Sequence, residues 1–156
     1  MADVDLPGDV PDLVALQKAV MYFEMPRALS HERIWHRDNL SAQLRTLFDE
    51  GMAITGAEYS AHIARTALAQ HSVDALFDSV HVLVSPSATG EAPAGIDATG
   101  DPVFCRGWTL LGLPCVHLPV TKGPHGLPIG IQLVGRFGDD SRLLAMAEWV
   151  QVQLQR

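Results

Sequence analysis

The feature that most restricts the fold is a pair of apolar segments, each introduced by the tripeptide Gly-Leu-Pro. Gly112–Pro114 precedes the run Cys115–Val120, and Gly126–Pro128 precedes the run Ile129–Val134. Both runs are short and rich in residues that favour strands, and turn-forming residues lie between them. The two prolines fix the backbone at positions where a strand does not need an N–H group. The pattern predicts two strands that can pair as a hairpin.

Three amphipathic helices are predicted in the first half of the chain. Pro11 is tolerated in the first turn of the first helix, and Pro26 is expected to end it. Gly51 is expected to cap the second helix, because glycine adopts the left-handed conformation without strain. Thr55 and Glu58 have the spacing of a capping box at the start of the third. The predicted ranges are residues 12–24, about 39–50, and 56 to about 71.

The second half alternates between strand, loop and helix. A strand is predicted at Val80–Val84, closed by Ser85-Pro86, and a loop rich in Gly, Pro, Ala and Thr follows from Ser85 to Pro102. A short helix is expected near Arg106–Leu111. A last helix, capped by Asp139 or Asp140, has one apolar stripe. The stripe consists of Leu143, Ala147, Val150 and Leu154.

Length and charge exclude several classes of protein. A chain of 156 residues with 47% hydrophobic residues can bury a sizeable core, so residues 1–156 are expected to form a single unit. The net charge of −7 gives no basic stripe for nucleic acid or an anionic membrane. The acidic N-terminus, with Asp3 and Asp5, is unlike a secretory signal, and no apolar run reaches membrane-spanning length. A soluble cytoplasmic protein with two free thiols is expected.

Three segments together resemble the C-terminal region of the amidase signature family. They are Thr99–Pro102, Trp108–Pro114 and Gly126–Arg136, which keep a Thr-Gly-Asp-Pro loop and two Gly-Leu-Pro strand starts in order. Upstream, Gly51, the helix with Tyr59 and Arg65, and the strand ending in Ser85-Pro86 are similar to the same family. The resemblance implies an α/β fold with a mixed sheet flanked by helices. It also implies carboxamide hydrolysis as the parent chemistry.

The resemblance assigns no catalytic residue to this chain. Enzymes of the family attack with a serine that is deprotonated through a second serine and a neutral lysine, within a Gly/Ser-rich motif N-terminal to the matching region. No Gly-Gly-Ser-Ser string occurs here, and the two lysines, Lys18 and Lys122, do not lie three residues after a serine. The chain alone is therefore expected to be an inactive C-terminal segment whose N-terminal catalytic half is absent.

The resemblance does suggest residues that contact a substrate. Phe104, Cys105 and Trp108 follow the Thr-Gly-Asp-Pro stretch and are candidates to line the acyl-binding pocket. The alternative for Phe104 and Trp108 is that they are core aromatics. The segment Trp108–Gly112 is more similar to small-substrate amidases, and the acidic charge argues against the tRNA-dependent amidotransferase branch.

Other catalytic sets have weaker support. His31 and His36 are five residues apart, which does not place them on one helical face as metal ligands. A nucleophilic pair of a histidine with Cys105 or Cys115 is conceivable but unsupported by spacing. Cys115, inside an apolar strand, is expected to be less accessible than Cys105. No metal or other cofactor is predicted.

Two hypotheses remain open from the sequence. The first is a truncated or split amidase, whose partners are a small-molecule amide in the complete enzyme and an N-terminal amidase half. The second is a noncatalytic binding or complementing module derived from an amidase. A sheet cut from a larger one leaves an unpaired edge, so self-association is expected when the chain is made alone.

Overall fold

The first helix, α1 (Leu13–Ala28), begins at a side-chain cap and continues past a proline. In the computed structural model, which describes residues 3–8, 10 and 12–154, Asp12 Oδ1 accepts hydrogen bonds from the N–H groups of Val14 at 2.9 Å and Ala15 at 3.0 Å. Pro11 lies outside the described residues. The prediction that Pro26 ends the helix is wrong, because this residue lies within α1 and is fully buried. Tertiary packing here outweighs the helix-breaking tendency of proline.

Gly51 explains how α1 and the next long helix approach each other. Helix α3 (Ala42–Ala53) begins after Ser41, whose Oγ accepts from Leu44 N at 3.2 Å, and it continues beyond Gly51. The expected cap at Gly51 is therefore wrong. A Cβ atom at this position would lie 1.9 Å from the carbonyl oxygen of Tyr22 in α1. Glycine is present because the two backbones meet there.

Arg27 links the C-terminal end of α1 to α3 by hydrogen bonds. Its Nη1 donates to the carbonyl oxygens of Phe23 at 2.6 Å and Gly51 at 3.0 Å, and its Nη2 donates to that of Ile54 at 3.2 Å. The guanidinium also lies 3.5 Å from the centre of the Phe23 ring. Between α1 and α3 the chain forms α2 (Ser30–Trp35) and a 3₁₀ turn (Arg37–Asn39).

The capping box predicted at Thr55 and Glu58 is confirmed. Thr55 N donates to Glu58 Oε2 at 2.8 Å, and Glu58 N donates to Thr55 Oγ1 at 3.2 Å, at the start of α4 (Gly56–Asp74). A 3₁₀ turn (Ala75–Asp78) follows. The N–H of Val80 binds the carbonyl of Leu76, so this part of the predicted strand belongs to the turn. Strand β1 is consequently Leu83–Pro86 and not Val80–Val84.

The predicted hairpin is confirmed, and it forms most of a small sheet. Strands β2 (Cys115–Lys122) and β3 (Pro128–Val134) pair antiparallel, with a bulge between Pro119 and Thr121. Strand β1 pairs antiparallel with the other side of β3, so the order is β1-β3-β2. Helix α5 (Val103–Leu111) begins three residues before the predicted start, and α6 is Asp140–Leu154.

Helices cover both faces of the sheet, which confirms the α/β class with a sheet flanked by helices. On one face, α1, α4 and α5 pack together, and on the other α6 packs on β2 and β3. Leu154 at the end of the predicted α6 stripe is 46% exposed, so the buried part of the stripe stops before it. The first core comprises Leu13, Ala69, Val73, Phe77, Leu83, Leu111, Leu113 and Val134. The second comprises Leu118, Leu133, Leu143 and Ala147.

In the part of the chain that the structure describes, no helix is both long enough and apolar enough to cross a bilayer.

Candidate functional site

Polar side chains from all three strands share the sheet face that α5 partly covers. The pairing register places Ser85 of β1 opposite Gln132 of β3, and Gln132 opposite His117 of β2. Paired residues in a sheet project to the same face, so the three side chains form a row across the strands. Cys115, two residues before His117, projects to this face as well. We call it the α5 face.

Gln132 is the buried centre of the row. The residue is 4% exposed, and its Nε2 lies 3.0 Å from Ser85 Oγ, 3.0 Å from the Pro86 carbonyl and 2.8 Å from the Phe104 carbonyl. Because two of these neighbours are carbonyl oxygens, the side-chain amide must direct its N–H groups toward them. Gln132 therefore connects helix α5 to strand β1.

A chain of contacts leads from Gln132 to the open part of the face. Cys105 Sγ lies 4.0 Å from Gln132 Oε1 and donates to the Ser87 carbonyl at 3.5 Å. The Ser87 hydroxyl lies 2.7 Å from His117 Nδ1. The imidazole lies over Gly130, where a Cβ atom would be 2.5 Å from its Cε1 atom. Cys105 is half-buried and His117 is exposed, so the row runs from the interior to solvent.

Cys115 differs from the expectation for a buried strand cysteine. It is exposed, since it begins an outer strand beyond the end of α5. The pKa of the Cys115 thiol is nevertheless raised, because its sulfur is partly desolvated and the nearby Cys105 disfavours a second negative charge. Cys115 is thus open to solvent as a residue, while the surroundings of its sulfur disfavour the thiolate.

The three residues suggested for substrate contact are divided between two environments. Phe104 and Trp108 line a cavity of about 310 Å³ between α5 and the start of α1, together with Leu13 and Ser85. Cys105 does not line this cavity, and its thiol lies among the polar groups beside Gln132. Trp108 also packs against the first core. A role in substrate binding for these residues stays a prediction.

The long loop 87–102 is anchored beside this face by Glu91. Its side chain is 8% exposed and accepts hydrogen bonds from Leu127 N at 2.9 Å and from His125 Nδ1 at 2.8 Å. Desolvation would raise the pKa of Glu91, but the hydrogen bonds from His125 and Leu127 outweigh it and hold the pKa below its usual value. The loop consequently lies against the turn between β2 and β3.

Sequence reasoning missed the centre of this site. The sequence predicts substrate contacts at Phe104, Cys105 and Trp108, whereas Gln132 and Ser87 fall within a predicted strand and a predicted loop. The available signal was an amide side chain inside the apolar run Ile129–Val134. Within residues 3–8, 10 and 12–154, no group of three or more His, Cys, Asp or Glu side chains could hold a metal ion.

Comparison with known proteins identifies the family. The model of the Amidase family matches residues 19–144. The chain belongs to this family. One subunit of the human mitochondrial glutamyl-tRNA(Gln) amidotransferase is 33% identical over 100 residues, covering 58% of this chain and 19% of the relative. The corresponding subunit from Psychrobacter sp. (strain PRwf-1) is 39% identical over 82 residues, covering 48% of this chain and 16% of the relative.

Solved structures agree with the observed fold. The crystal structure of an amidase superimposes with a TM-score of 0.80 at 23% identity, covering 96% of this chain and 37% of that one. A 6-aminohexanoate cyclic dimer hydrolase complexed with its substrate gives a TM-score of 0.72 at 15% identity, covering 99% and 38%. The chain thus corresponds to less than two fifths of either structure. Membership of a small-substrate branch stays a prediction, since both curated relatives are parts of amidotransferases.

Proposed function

We propose that this chain forms the C-terminal part of an amidase that hydrolyses a small-molecule carboxamide once an N-terminal part is joined to it. The observation that supports this most directly is the family match across residues 19–144 in a chain that spans only 37% of a structurally similar amidase. The resemblance puts the Gly/Ser-rich catalytic motif in the share of the family fold that these residues do not span. The amide-cleaving serine and its base would come from that part, and no cofactor is required.

In this proposal the chain contributes walls of the site and not its nucleophile. Phe104 and Trp108 present aromatic surface to the cavity at α5, which suits an acyl group of the substrate. Cys105 would define the polar side, because its thiol is held near Ser87 and Gln132. We place the protein in the cytoplasm, where its two thiols would stay reduced. Nucleic acid and membranes are not proposed as partners.

The outer edges of the sheet suggest where an N-terminal part would join. Among the described residues, β1 and β2 each pair with β3 alone, so each has one unpaired edge. Val84 on β1 is 41% exposed and Val120 on β2 is 47% exposed. Unpaired strand edges with apolar side chains favour association with another strand or with a second copy.

The second candidate is a noncatalytic binding or complementing module. It is favoured by the two clusters of buried apolar residues that the described part of the chain forms on opposite faces of the sheet. A module of this kind would fold as a single unit over residues 1–156. It would stay monomeric when mixed with an amidase N-terminal part.

Coexpression distinguishes the two candidates. The chain is made alone and together with the N-terminal part of an amidase-family enzyme that contains the Gly/Ser-rich motif. Light scattering reports association, and acetamide, benzamide and a malonamate analogue report hydrolysis. We expect hydrolysis only from the mixture, and a lower rate with Phe104→Ala. A stable monomer that neither binds the N-terminal part nor activates it would favour the module.

A further inference from the structure

The Ser87 hydroxyl and the His117 imidazole form a pair that the amidase chemistry does not use. Ser87 Oγ and His117 Nδ1 are 2.7 Å apart although the residues are 30 positions apart in the sequence. This distance lies within the range in which a histidine can remove a serine proton. We propose that Ser87 is a nucleophile with His117 as its base, and that the pair accepts acyl or sulfonyl groups from activated aryl esters and sulfonyl fluorides.

The imidazole lies on the sheet surface beside the serine. His117 stands opposite Gln132 in the β2–β3 register, and its ring lies over Gly130. Glycine at position 130 leaves room for the ring, since a Cβ atom there would lie 2.5 Å from Cε1 and 2.9 Å from Nε2, and nearer still to the Leu118 carbonyl oxygen. To accept the serine proton at Nδ1, the neutral ring must carry its own proton on Nε2. A base that already lies beside the serine lowers the entropy cost of proton transfer.

The backbone of Ser87 is fixed. Its N–H reaches the Gly130 carbonyl at 3.5 Å, and its own carbonyl accepts from Cys105 Sγ at 3.5 Å. The hydroxyl therefore extends toward His117 from a segment that is held on both sides. Ser60 offers a comparison outside the site, because its hydroxyl lies on α4 and donates to the Gly56 carbonyl at 2.9 Å.

The proposed reaction balances without a cofactor. Ser87 Oγ attacks the ester carbonyl, its proton moves to His117 Nδ1, and the aryl oxide leaves with the bonding electron pair. The imidazolium gives its proton to solvent, and water then attacks the acyl-serine while His117 Nδ1 takes a proton from the water. The adduct expels the serine oxygen, which receives that proton from the imidazolium, so the carboxylic acid is released and the serine is restored. An aryl oxide departs without being protonated, whereas an amine needs a proton from a general acid. The pair is assigned to activated esters, whose leaving group needs no proton from the imidazolium.

The test uses the whole chain and phenylmethylsulfonyl fluoride, which leaves a stable sulfonyl group on an activated serine as fluoride departs. We expect mass spectrometry to place a single adduct on Ser87, with none there in Ser87→Ala. His117→Asn should label about 100-fold more slowly, the range of general base catalysis. Ser60→Ala should label at the wild-type rate.

Each other result overturns the proposal. Labelling of His117→Asn at the wild-type rate would show that the imidazole is a structural partner of Ser87 and not its base. Adducts that remain in Ser87→Ala but disappear in Cys105→Ser or Cys115→Ser would assign the reactivity to a thiol. Circular dichroism on every variant verifies that the fold is kept. Because sulfonylation needs no N-terminal amidase part, failure here leaves the amidase proposal intact.

Discussion

The ring and the backbone of His125 both donate hydrogen bonds to the carboxylate of Glu91, which lies 34 residues earlier in the chain. The two partners differ sharply in exposure, since the side chain of His125 is 83% exposed and that of Glu91 is 8% exposed. The carboxylate is thus covered by the turn that it binds. Loop 87–102 depends on this contact for its position beside the α5 face.

Glu91→Gln should change how stability depends on pH. The folded-state pKa of Glu91 is lowered, so its contribution to stability is present above the unfolded-state pKa of about 4.3 and is lost as the pH falls toward the folded-state value. We expect the variant to be less stable at pH 7 and to lose less stability between about pH 5 and pH 3. Urea unfolding across this range measures both effects. The exposed Glu148→Gln is the control, and an unchanged slope in Glu91→Gln would contradict the assignment.

Gly51→Ala should separate α1 from α3. The new Cβ atom would lie 1.9 Å from the Tyr22 carbonyl oxygen, so the two helix backbones would have to move apart. We expect the free energy of unfolding to fall by about 3 kcal/mol or more. Gly56→Ala is the matched control, since no atom lies within 4 Å of its added Cβ. Equal denaturation midpoints for the two variants would show that the helices can adjust.

Gln132→Leu should destabilise the protein by breaking the hydrogen bonds at the centre of the candidate site. The substitution removes the donor to the Phe104 and Pro86 carbonyls and leaves these acceptors poorly satisfied. We expect a loss of about 2–3 kcal/mol in the free energy of unfolding. Hydrogen exchange at α5 should quicken by more than at α6. Gln151→Leu on the exposed side of α6 controls for the added apolar surface, and equal losses in both variants would refute a special role for Gln132.

Cys115 should react slowly at neutral pH despite its exposure. Its raised pKa leaves less thiolate than an ordinary cysteine has, and only the thiolate attacks iodoacetamide. We expect the rate for Cys115, measured in Cys105→Ser, to keep rising above the usual cysteine pKa of about 8.5. The rate for Cys105 is measured separately in Cys115→Ser. A Cys115 rate that levels off below pH 8 would disagree with the raised pKa.

Local sequence rules predicted the elements whose ends are fixed by neighbouring residues. The capping box of Thr55 and Glu58 marks the start of α4, and the two Gly-Leu-Pro tripeptides mark the strands of the hairpin. The same rules failed at Pro26 and Gly51. Both residues are buried where α1 meets α3, so their roles depend on a helix that is distant in the sequence.

The site was only partly predictable for the same reason. Phe104 and Trp108 could be proposed because a family resemblance covers their segment. The contact between Ser87 and His117 spans 30 residues, and it exists because Ser87 follows β1 while His117 lies on β2, with β3 between the two strands. Neither spacing nor composition encodes the order β1-β3-β2, and without that order the row of polar side chains cannot be inferred.

The order β1-β3-β2 also determines when the sheet can form while the chain is being synthesised. Strand β3 occupies the middle of the sheet yet is the last of the three to leave the ribosome. Until β3 has emerged as far as Val134, β1 has no strand to pair with. Its apolar residues can then contact only the helices that have already been made. Chain elongation at about 5–20 residues per second makes that interval several seconds long. The nascent helices α1 to α4 therefore have time to collapse first, and the sheet and then α6 are added to them.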